Sequence, residues 1–393
     1  LPSVIYKTTI IWRLTMYIPQ KQLDNLKALI QPGKVIVVYG ARRVGKTTLL
    51  RKYVENIDPN RLLFINGDDI ATSRFLESRS IENLKDFVGR HQYLIVDEAQ
   101  YIKNIGLNLK LIVDHIPGIK VIATGSSSFD LAQTIGEPLT GRRFVLKLFP
   151  LAQMEISQRE KMHETATNLE TRLIYGSYPE VIMLRDNKLR EEYLRELVSS
   201  YLFKDIFALE GIRYSEKLIR LLQLIAFQIG SEVSLSEIGR QLAMSKNTVE
   251  RYLDLLEKAF VIFRLSGFSR NMRKEITKNS RYFFYDIGIR NAVVGMFNPL
   301  NLRDDIGKIW ENYLISEVQK HREYCRLSSR LYFWRTYDRK EIDLIEDHQG
   351  HLSAYEIKWK QSRVPVPKDW RRHYPQADFN VIHSGNYLNY ILP

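Results

Sequence analysis

Short apolar runs alternate with helically spaced apolar residues over the first 150 residues of the chain. Continuous apolar runs occupy 35–39 and 93–96, a third predicted strand with an apolar centre occupies 120–125, and the stretches between them have the spacing of amphipathic helices. Continuous runs of about four to eight apolar residues are typical of strands buried on both faces, as in a parallel sheet covered by helices. The pattern therefore predicts an α/β domain built on a parallel sheet, which we assign to residues 16–150.

The second half of the chain has a different pattern. Beyond Pro150 the apolar spacing becomes helical, and we interpret residues 151–212 as a helical lid. Residues 213–295 contain two helices separated by a short turn, followed by two strands around a basic loop, which is the order of a winged helix. Residues 296–393 begin with a helix and continue with strands, so the last predicted domain is mixed α/β.

The composition of the chain indicates which kind of partner it binds and in which cellular compartment we expect it. Lys and Arg exceed Asp and Glu by 58 to 45, and the net charge of +13 favours a polyanionic partner, first nucleic acid and second a membrane surface. No segment approaches the roughly 18 apolar residues that a spanning helix needs, so we expect no stable membrane insertion. The single cysteine, Cys325, excludes an intramolecular disulfide framework and fits a cytoplasmic protein.

The N-terminal segment does not have the features of a signal peptide. Lys7 and Arg13 interrupt its apolar residues, and no small-residue cleavage site follows. Met16 leads directly into a helix pattern ahead of the first strand. We therefore expect the natural product to begin at Met16 and residues 1–15 to be a non-native leader.

The most specific motif follows the first predicted strand. The segment GARRVGKTT fits G-x-x-x-x-G-K-[ST] at Gly40, Gly45, Lys46 and Thr47 and opens onto a helix. Glycines let consecutive backbone N–H groups curl around an anion, and the helix N-terminus adds positive potential. We expect Lys46 to reach the β- and γ-phosphates of ATP and Thr47 to complete the Mg²⁺ shell. Two further nucleotide contacts are expected from this loop, Arg43 and Thr48.

Two carboxylates, Asp97 and Glu98, end the second apolar run. Open α/β sheets bind ligands at the carboxyl ends of their strands. Asp97 therefore suits indirect Mg²⁺ coordination, and Glu98 suits the general base that polarises the attacking water. A solvated acidic turn is the alternative, and the phosphate-binding loop upstream weighs against it.

Hydroxyl side chains follow the third apolar run. Thr124 and Ser126 are the preferred positions for a group that holds the lytic water or senses the γ-phosphate, and a serine-rich helix cap is the alternative. The strand resembles the sensor-1 strand of AAA+ proteins.

Arginines enter the fifth predicted strand. Either Arg142 or Arg143 would suit an arginine finger, a guanidinium that stabilises charge on the γ-phosphoryl group of a neighbouring subunit's nucleotide. This role requires a homo-oligomer, and ordinary surface arginines are the alternative.

The predicted wing is rich in positive charge. Its basic residues are Arg270, Arg273, Lys274 and Lys278. Phosphate contacts with DNA are their natural use. Winged helices also serve as protein-contact modules, so DNA binding and subunit contact both stay open.

The final third contains a sparser set of acids and a lysine. Glu356 and Lys358 share one face of a predicted strand, and Asp343 lies on the strand before it. Asp343 and Glu356 would hold Mg²⁺ against a scissile phosphate, Lys358 would orient or activate water, and Glu311 would add a more distant contact. The set resembles the PD-(D/E)XK nuclease signature, and solvated strand faces are the alternative.

Most of the chain from Met16 onward resembles one prokaryotic family. The matching segments are GARRVGKTTLL, YLIVDEAQ, ATGSSSFDL, YGSYPEV, EIDLI and YEIKW. The family is that of AAA+ P-loop ATPases fused to a winged helix and a C-terminal restriction-endonuclease-like domain of uncharacterised function. The resemblance implies ATP hydrolysis more securely than cleavage.

Two functions agree with these features. The first is an ATP-hydrolysing motor or remodeller that binds duplex or branched DNA, with a terminal domain that binds or cuts it. The alternative is a nucleotide-gated switch that recruits partners without cutting DNA. DNA would accelerate ATP turnover by a motor, whereas a switch would turn over slowly and respond to its partner.

Overall fold

The computed structural model describes residues 17–125, 139–202, 215–269, 280–336 and 340–393. Two sheets organise these residues. One is formed near the N-terminus, and the other is shared by the second half of the chain.

The first sheet has five parallel strands in the order β2-β3-β4-β1-β5. The strands are β1 (Val35–Gly40), β2 (Leu62–Asn66), β3 (Tyr93–Asp97), β4 (Lys120–Gly125) and β5 (Arg143–Leu148). The helices of this region are α1 (Gln22–Leu29), α2 (Lys46–Val54), α3 (Ile70–Ser73), α4 (Ile81–Val88) and α5 (Ile105–His115). Every residue of β1 is buried, as its continuous apolar run predicts for a central strand. The predicted α/β class with a parallel sheet is confirmed.

Four helices follow the first sheet. They are α6 (Gln153–Ile156), α7 (Met162–Tyr175), α8 (Pro179–Met183) and α9 (Asn187–Glu196), and α9 runs into a wider π-helical stretch at Leu197–Leu202. Gly176 ends α7 at φ 74° and ψ −159°, a conformation that favours glycine. Asp286 packs against it and accepts hydrogen bonds from the backbone N–H groups of Ser177 (2.7 Å) and Ile289 (3.2 Å). This buried carboxylate joins the helical region to the next part of the chain.

The next block combines helices with short strands. Its elements are α10 (Ser215–Phe227), β6 (Glu232–Val233), α11 (Leu235–Gln241), α12 (Lys246–Lys258), β7 (Ile262–Gly267), β8 (Ser280–Phe284) and α13 (Ile287–Val294). Ser234 and Ser245 cap α11 and α12 by accepting hydrogen bonds from backbone N–H groups of the first turn. The two caps fix the short turn between these helices.

The last region completes a seven-stranded mixed sheet. It contains α14 (Ile306–Tyr324), β9 (Arg330–Arg335), β10 (Glu341–His348), β11 (His351–Ile357), α15 (Lys368–His373), β12 (Asp378–Ile382) and α16 (Leu388–Ile391). The strand order is β12-β11-β10-β9-β7-β8-β6. Parallel pairing of β7 with β9, Gly267 opposite Phe333, joins the two parts. The strands on the two sides of the domain boundary expected between residues 295 and 296 therefore belong to one continuous sheet.

Helix α14 also packs the last region onto the first sheet. Its Glu317 accepts a hydrogen bond from the backbone N–H of Gln153 (2.6 Å), and its Tyr324 hydroxyl accepts one from the N–H of Phe149 (3.0 Å). Asn25 of α1 donates to the Tyr324 carbonyl (2.9 Å). The described regions thus form one packed unit, and none of their helices is long and apolar enough to cross a membrane.

Candidate nucleotide site and acidic cluster

The phosphate-binding loop lies between β1 and α2, as the motif requires. Gly45 has φ 96°, and a Cβ added at Gly40 would lie 2.2 Å from the Leu148 carbonyl oxygen of β5. Both positions therefore need glycine, Gly45 for its left-handed backbone and Gly40 for the close approach of a neighbouring strand. Arg43 and Thr48 are exposed at the loop and at the start of α2.

Lys46 is held inside this loop. It is 4% exposed, and its ammonium group donates hydrogen bonds to the carbonyl oxygens of Gly40 and Ala41, both at 3.0 Å. Backbone carbonyl oxygens of the loop thus hold the buried ammonium group of Lys46 in place. An anionic phosphate would be a stronger partner for this group than a carbonyl.

Thr47, Asp97 and Thr124 meet at the carboxyl edge of the sheet. One carboxylate oxygen of Asp97 accepts a hydrogen bond from Thr47 (2.7 Å), and the other accepts one from Thr124. Because Asp97 is 4% exposed, these two hydroxyls fix its orientation. The structure therefore brings residues of three sequence motifs into direct contact beside the phosphate-binding loop.

Glu98 lies in a turn that leaves the end of β3. Its backbone is left-handed, with φ 51° and ψ 44°, a conformation that costs a non-glycine residue about 1–3 kcal/mol. The Glu98 N–H donates to the Thr124 hydroxyl (3.0 Å), and Gln100 donates to the Glu98 carboxylate (2.6 Å). Gly67 allows the close approach, because a Cβ there would lie 2.3 Å from the Glu98 carbonyl oxygen.

Asp68 is an additional acid at this edge that the sequence analysis missed. It follows the end of β2, and burial followed by the nearby charge of Glu98 raises its pKa. The signal was available, because carboxyl ends of neighbouring parallel strands converge. Asp68, Asp97 and Glu98 thus form one acidic edge facing the loop side of the sheet.

The arginines proposed as fingers lie at the opposite end of the sheet. Arg143 is paired with Val35 at the start of β1, whereas the phosphate-binding loop begins after Gly40, about 16 Å further along the strand. Arg142 forms an ion pair with Asp114 at the surface. Neither arginine can reach the nucleotide loop of its own chain, so a finger would have to act on another subunit.

Arg143 faces a cleft of about 390 Å³ between β5 and α12. The cleft is also lined by Tyr39 and Glu257, and burial raises the pKa of Glu257 to about 7. The Arg142 side chain is 42% exposed beside Asp114. Several other predicted site residues, Ser126, Arg270, Arg273, Lys274 and Lys278, lie outside the described residues.

Asp343, Glu356 and Lys358 converge at one place in the second sheet. Asp343 accepts a hydrogen bond from the N–H of Ile357 (2.8 Å), which anchors it across β10 and β11. The Lys358 ammonium lies 2.6 Å from a Glu356 carboxylate oxygen and 3.7 Å from one of Asp343. The three residues form an acidic cluster with an internal lysine.

Glu311 joins the cluster from α14. Burial, and then the charge of Asp343, raises its pKa to about 8, and burial also raises the pKa values of Asp343 and Glu356. Burial lowers the pKa of Lys358, but the hydrogen bond with Glu356 and the neighbouring acids outweigh it, so the net shift is upward. Burial and mutual repulsion thus favour the protonated form of these carboxyls more strongly than water does.

Two further residues of the cluster were missed, Arg281 of β8 and Glu341 of β10. Arg281 lies 2.6 Å from Glu341 and 3.6 Å from Glu311. No sequence signal marks Arg281, because β8 reaches the cluster only through long-range strand pairing, whereas Glu341 alternates with Asp343 on one strand. In the part of the chain that the structure describes, no group of three or more His, Cys, Asp or Glu side chains is arranged to hold a metal ion.

Three segments match family models. Residues 32–157 match "AAA domain", residues 166–300 match "Domain of unknown function (DUF8612)", and residues 306–381 match "Domain of unknown function (DUF4143)". The first match coincides with the parallel sheet and the phosphate-binding loop. That part of the chain is therefore similar to a P-loop AAA domain, and residues 306–381 are similar to the DUF4143 domain.

Curated relatives extend over most of the chain. An uncharacterized protein of Haemophilus influenzae is 25% identical over 85% of this chain and 83% of the relative. An uncharacterized protein of Mycobacterium tuberculosis is 25% identical over 85% of this chain and 72% of the relative. Among solved structures, one match is a STAND ATPase with a tetratricopeptide repeat sensor from Pyrococcus horikoshii. The match covers 80% of this chain and 48% of the Pyrococcus chain, at 14% sequence identity and a TM-score of 0.27.

Proposed function

We propose that the protein binds and hydrolyses ATP with Mg²⁺, and the match of residues 32–157 to an AAA domain supports this. The observation that carries this proposal is the contact of Thr47 and Thr124 with the two oxygens of Asp97 beside the loop that holds Lys46. A phosphate-binding loop, a buried acid and a strand hydroxyl are the parts that metal-assisted phosphoryl transfer needs in one place.

Each residue has a role that follows from its position. The backbone between Gly40 and Gly45 cradles the phosphates, and Lys46 exchanges its carbonyl partners for phosphate oxygens. Thr47 and Asp97 would hold Mg²⁺, which neutralises charge on the β- and γ-phosphates. Glu98 accepts a proton from the attacking water. Three further residues contribute to nucleotide contacts or sensing, Arg43, Thr48 and Ser126.

Phosphate release with and without Mg²⁺ tests this proposal. Thr47→Val removes the hydroxyl that faces Asp97 and keeps the shape of the side chain, so we expect turnover to fall about 100-fold. Thr167→Val, on the exposed face of α7, is the matched control and should hydrolyse ATP like the wild type. Mg²⁺-independent turnover, or an active Thr47→Val variant, would refute the assigned roles.

The helical segment 151–212 is proposed as a lid over the nucleotide. Ile18 packs with Leu151, Ile156 and Ile182, so helices beyond the first sheet contact the chain just ahead of α1. Gln20, two residues on, donates a hydrogen bond to the Val44 carbonyl in the phosphate-binding loop (3.1 Å). A change at the nucleotide therefore has a short contact route to the helical segment.

An arginine finger and a homo-oligomer form part of the same proposal. Arg142 is the preferred finger, because it is accessible and lies at the end of the sheet away from its own nucleotide loop. Mixing Arg142→Ala with Lys46→Ala protein should restore some hydrolysis, since each subunit supplies what the other lacks. Arg143→Ala is the comparison. Absence of rescue at every mixing ratio would contradict a shared site.

Residues 213–295 are proposed as a winged helix that binds DNA. The order α10, β6, α11, α12, β7, β8 supports this, as do exposed Lys246, Asn247 and Arg251 on the first turns of α12. DNA should then accelerate ATP turnover at low salt and lose this effect at high salt. Turnover that ignores DNA but responds to a protein partner would favour the nucleotide-gated switch instead.

A second activity is proposed for the acidic cluster, Mg²⁺-dependent cleavage of DNA. The observation in favour is the convergence of Asp343, Glu356 and Lys358 with Glu311, whose oxygen Oε1 is buried without a hydrogen-bond partner among the described residues. Carboxylate oxygens are the ligands that a hard divalent cation prefers. Exposed basic residues of the same domain would contact the DNA backbone, and they are Lys360, Arg363, Lys368, Arg371 and Arg372.

Cleavage assays on linear, branched and single-stranded DNA with Mg²⁺ or Mn²⁺ test the second activity. Asp343→Ala and Lys358→Met should each stop cutting, because one removes a metal ligand and the other the group that orients water. ATP turnover should stay within about twofold of the wild type, since distant sites are additive. Intact substrates under all conditions would leave this domain as a binding module.

A further inference from the structure

A single helical turn follows the candidate general base, Glu98. The Tyr101 N–H donates to the Glu98 carbonyl (3.2 Å), and the Ile102 N–H donates to the Ala99 carbonyl (3.1 Å). Ala99 and Ile102 are buried, whereas Tyr101 lies at the surface. There the Tyr101 hydroxyl accepts a hydrogen bond from Arg42 of the phosphate-binding loop (2.8 Å). The turn is therefore fixed by its buried side chains and by the loop that we expect to hold phosphate.

The main chain of Glu98 is fixed as well. Its N–H donates to the Thr124 hydroxyl (3.0 Å), and Gly67 lets its carbonyl approach the end of the neighbouring strand. The Glu98 side chain is only partly buried, and these main-chain contacts do not determine where its carboxylate points. A general base needs that orientation, because it must lie within hydrogen-bond reach of the attacking water.

Gln100 of this turn holds the Glu98 carboxylate. Its side-chain nitrogen Nε2 donates a hydrogen bond to Glu98 Oε2 (2.6 Å). Burial, and then the charge of Glu98, raises the pKa of Asp68, so the two carboxyls repel each other and Glu98 needs a donor to stay in place. An amide bound to Oε2 fixes the plane of the carboxylate, and Oε1 of the same group can accept a proton from water.

We propose that Gln100 is a positioning residue for ATP hydrolysis, whose amide holds the Glu98 carboxylate in the orientation that accepts the proton of the attacking water. The inference rests on the hydrolysis proposed above. Gln100 acts through Glu98, so its removal affects turnover and leaves nucleotide binding in place. The anchored turn makes the amide a fixed donor that the carboxylate has to follow.

Turnover and ATP affinity, measured separately on the full chain, test this role. Gln100→Met removes the amide donor and keeps the length of the side chain, so we expect phosphate release to fall about tenfold. Affinity for a fluorescent ATP analogue should stay within about threefold of the wild type, because the phosphate-binding loop is unchanged.

A double variant shows whether the amide acts through Glu98. In the Glu98→Gln background the base is already absent, so adding Gln100→Met should lower the residual turnover by less than about twofold. A residue that only supports the turn would lower turnover by the same factor in both backgrounds. Long incubation with labelled ATP measures the low rates that this comparison needs.

Gln92→Met is the matched control. Gln92 is an exposed glutamine just before the other end of β3, where its side-chain oxygen accepts a hydrogen bond from Arg61 (2.9 Å). This variant should turn over ATP like the wild type. Chemical denaturation checks the folding of each variant, and if Gln100→Met does not fold, Gln100→Ala replaces it with the same expectation.

Each outcome decides the role of Gln100. Lower turnover with unchanged affinity, and no further loss in the Glu98→Gln background, supports a positioning residue. Turnover equal to or above that of the wild type overturns it, as does a loss of affinity as large as the loss of turnover or an equal loss in both backgrounds. No ATP turnover by the wild type overturns hydrolysis itself, and the inference falls with it.

Discussion

The nucleotide site and the acidic cluster are built in opposite ways. The first takes its residues from one sheet within 40–124, and its charged groups are satisfied by neutral partners, Lys46 by carbonyls and Asp97 by hydroxyls. The second collects residues of 281–358 from a helix and three strands, and its acids face two cations, the buried Arg281 and the partly exposed Lys358. In the first site the described contacts of Lys46 and Asp97 are hydrogen bonds with neutral groups, whereas in the second most contacts between side chains join opposite charges.

This difference follows from what each site must bind. A phosphate is held by consecutive backbone N–H groups, so its residues have to be neighbours in the sequence. A metal needs only oxygen atoms in space, and any element of the fold can supply them. The nucleotide site should therefore break at single residues, whereas the cluster should respond to changes in charge.

The largest effect is expected from Lys46→Ala. Removing the only buried cation among the described loop residues should lower ATP affinity or turnover about 1000-fold, because the phosphates then lose their charged side-chain partner in the loop. Titration with a fluorescent ATP analogue measures binding. Lys52→Ala, an exposed lysine on the same helix, is the control, and equal losses in both variants would show that the helix rather than the ammonium group matters.

Gly176→Ala should have the next largest effect, a loss of folding stability, because Gly176 packs against Asp286 where the helical region meets the next part of the chain. The new Cβ would lie 2.0 Å from Asp286 Oδ1, at a backbone conformation that disfavours alanine, so we expect about 3 kcal/mol of destabilisation. Chemical denaturation measures it. Gly118→Ala, at φ 78° with no atom within 4 Å, should cost only about 1 kcal/mol. Equal losses of folding free energy in the two variants would mean that Asp286 can move away from a side chain at position 176.

Thr124→Val should produce the smallest of these effects. Asp97 loses one of its two hydroxyl donors and the Glu98 N–H loses its acceptor, so hydrolysis should fall about tenfold while ATP affinity changes less than about threefold. ATP-binding and turnover assays on the same protein preparation measure the two effects separately. A loss confined to affinity would place Thr124 in nucleotide binding rather than in positioning the acids.

The positions of the residues around the phosphate-binding loop could be predicted because the motif is local, whereas their roles in binding nucleotide stay predictions. Gly40, Gly45 and Lys46 follow one strand directly, and the apolar runs marked the buried strands that bring Asp97 and Thr124 to the same edge. Asp68 was missed because the end of β2 carries no motif. The roles of Ser126 and of the basic wing stay predictions.

The acidic cluster was predicted only in part. Asp343, Glu356 and Lys358 were found from strand alternation, which fixes the face of each side chain. Arg281 could not be found, because its place depends on the pairing of β7 with β9, a contact between distant segments that side-chain periodicity does not encode. The shared sheet was unexpected for the same reason.

The most direct test of ATP hydrolysis is the fate of bound nucleotide in Glu98→Gln. Glutamine preserves the size of the side chain but cannot accept the proton of the attacking water. Purified variant and wild type are incubated with Mg²⁺ and ATP, and bound ATP, bound ADP and released phosphate are counted. The account predicts that the wild type releases phosphate, whereas the variant retains intact ATP with turnover lowered about 100-fold or more. Wild-type turnover in the variant, or loss of ATP binding by it, would contradict the account.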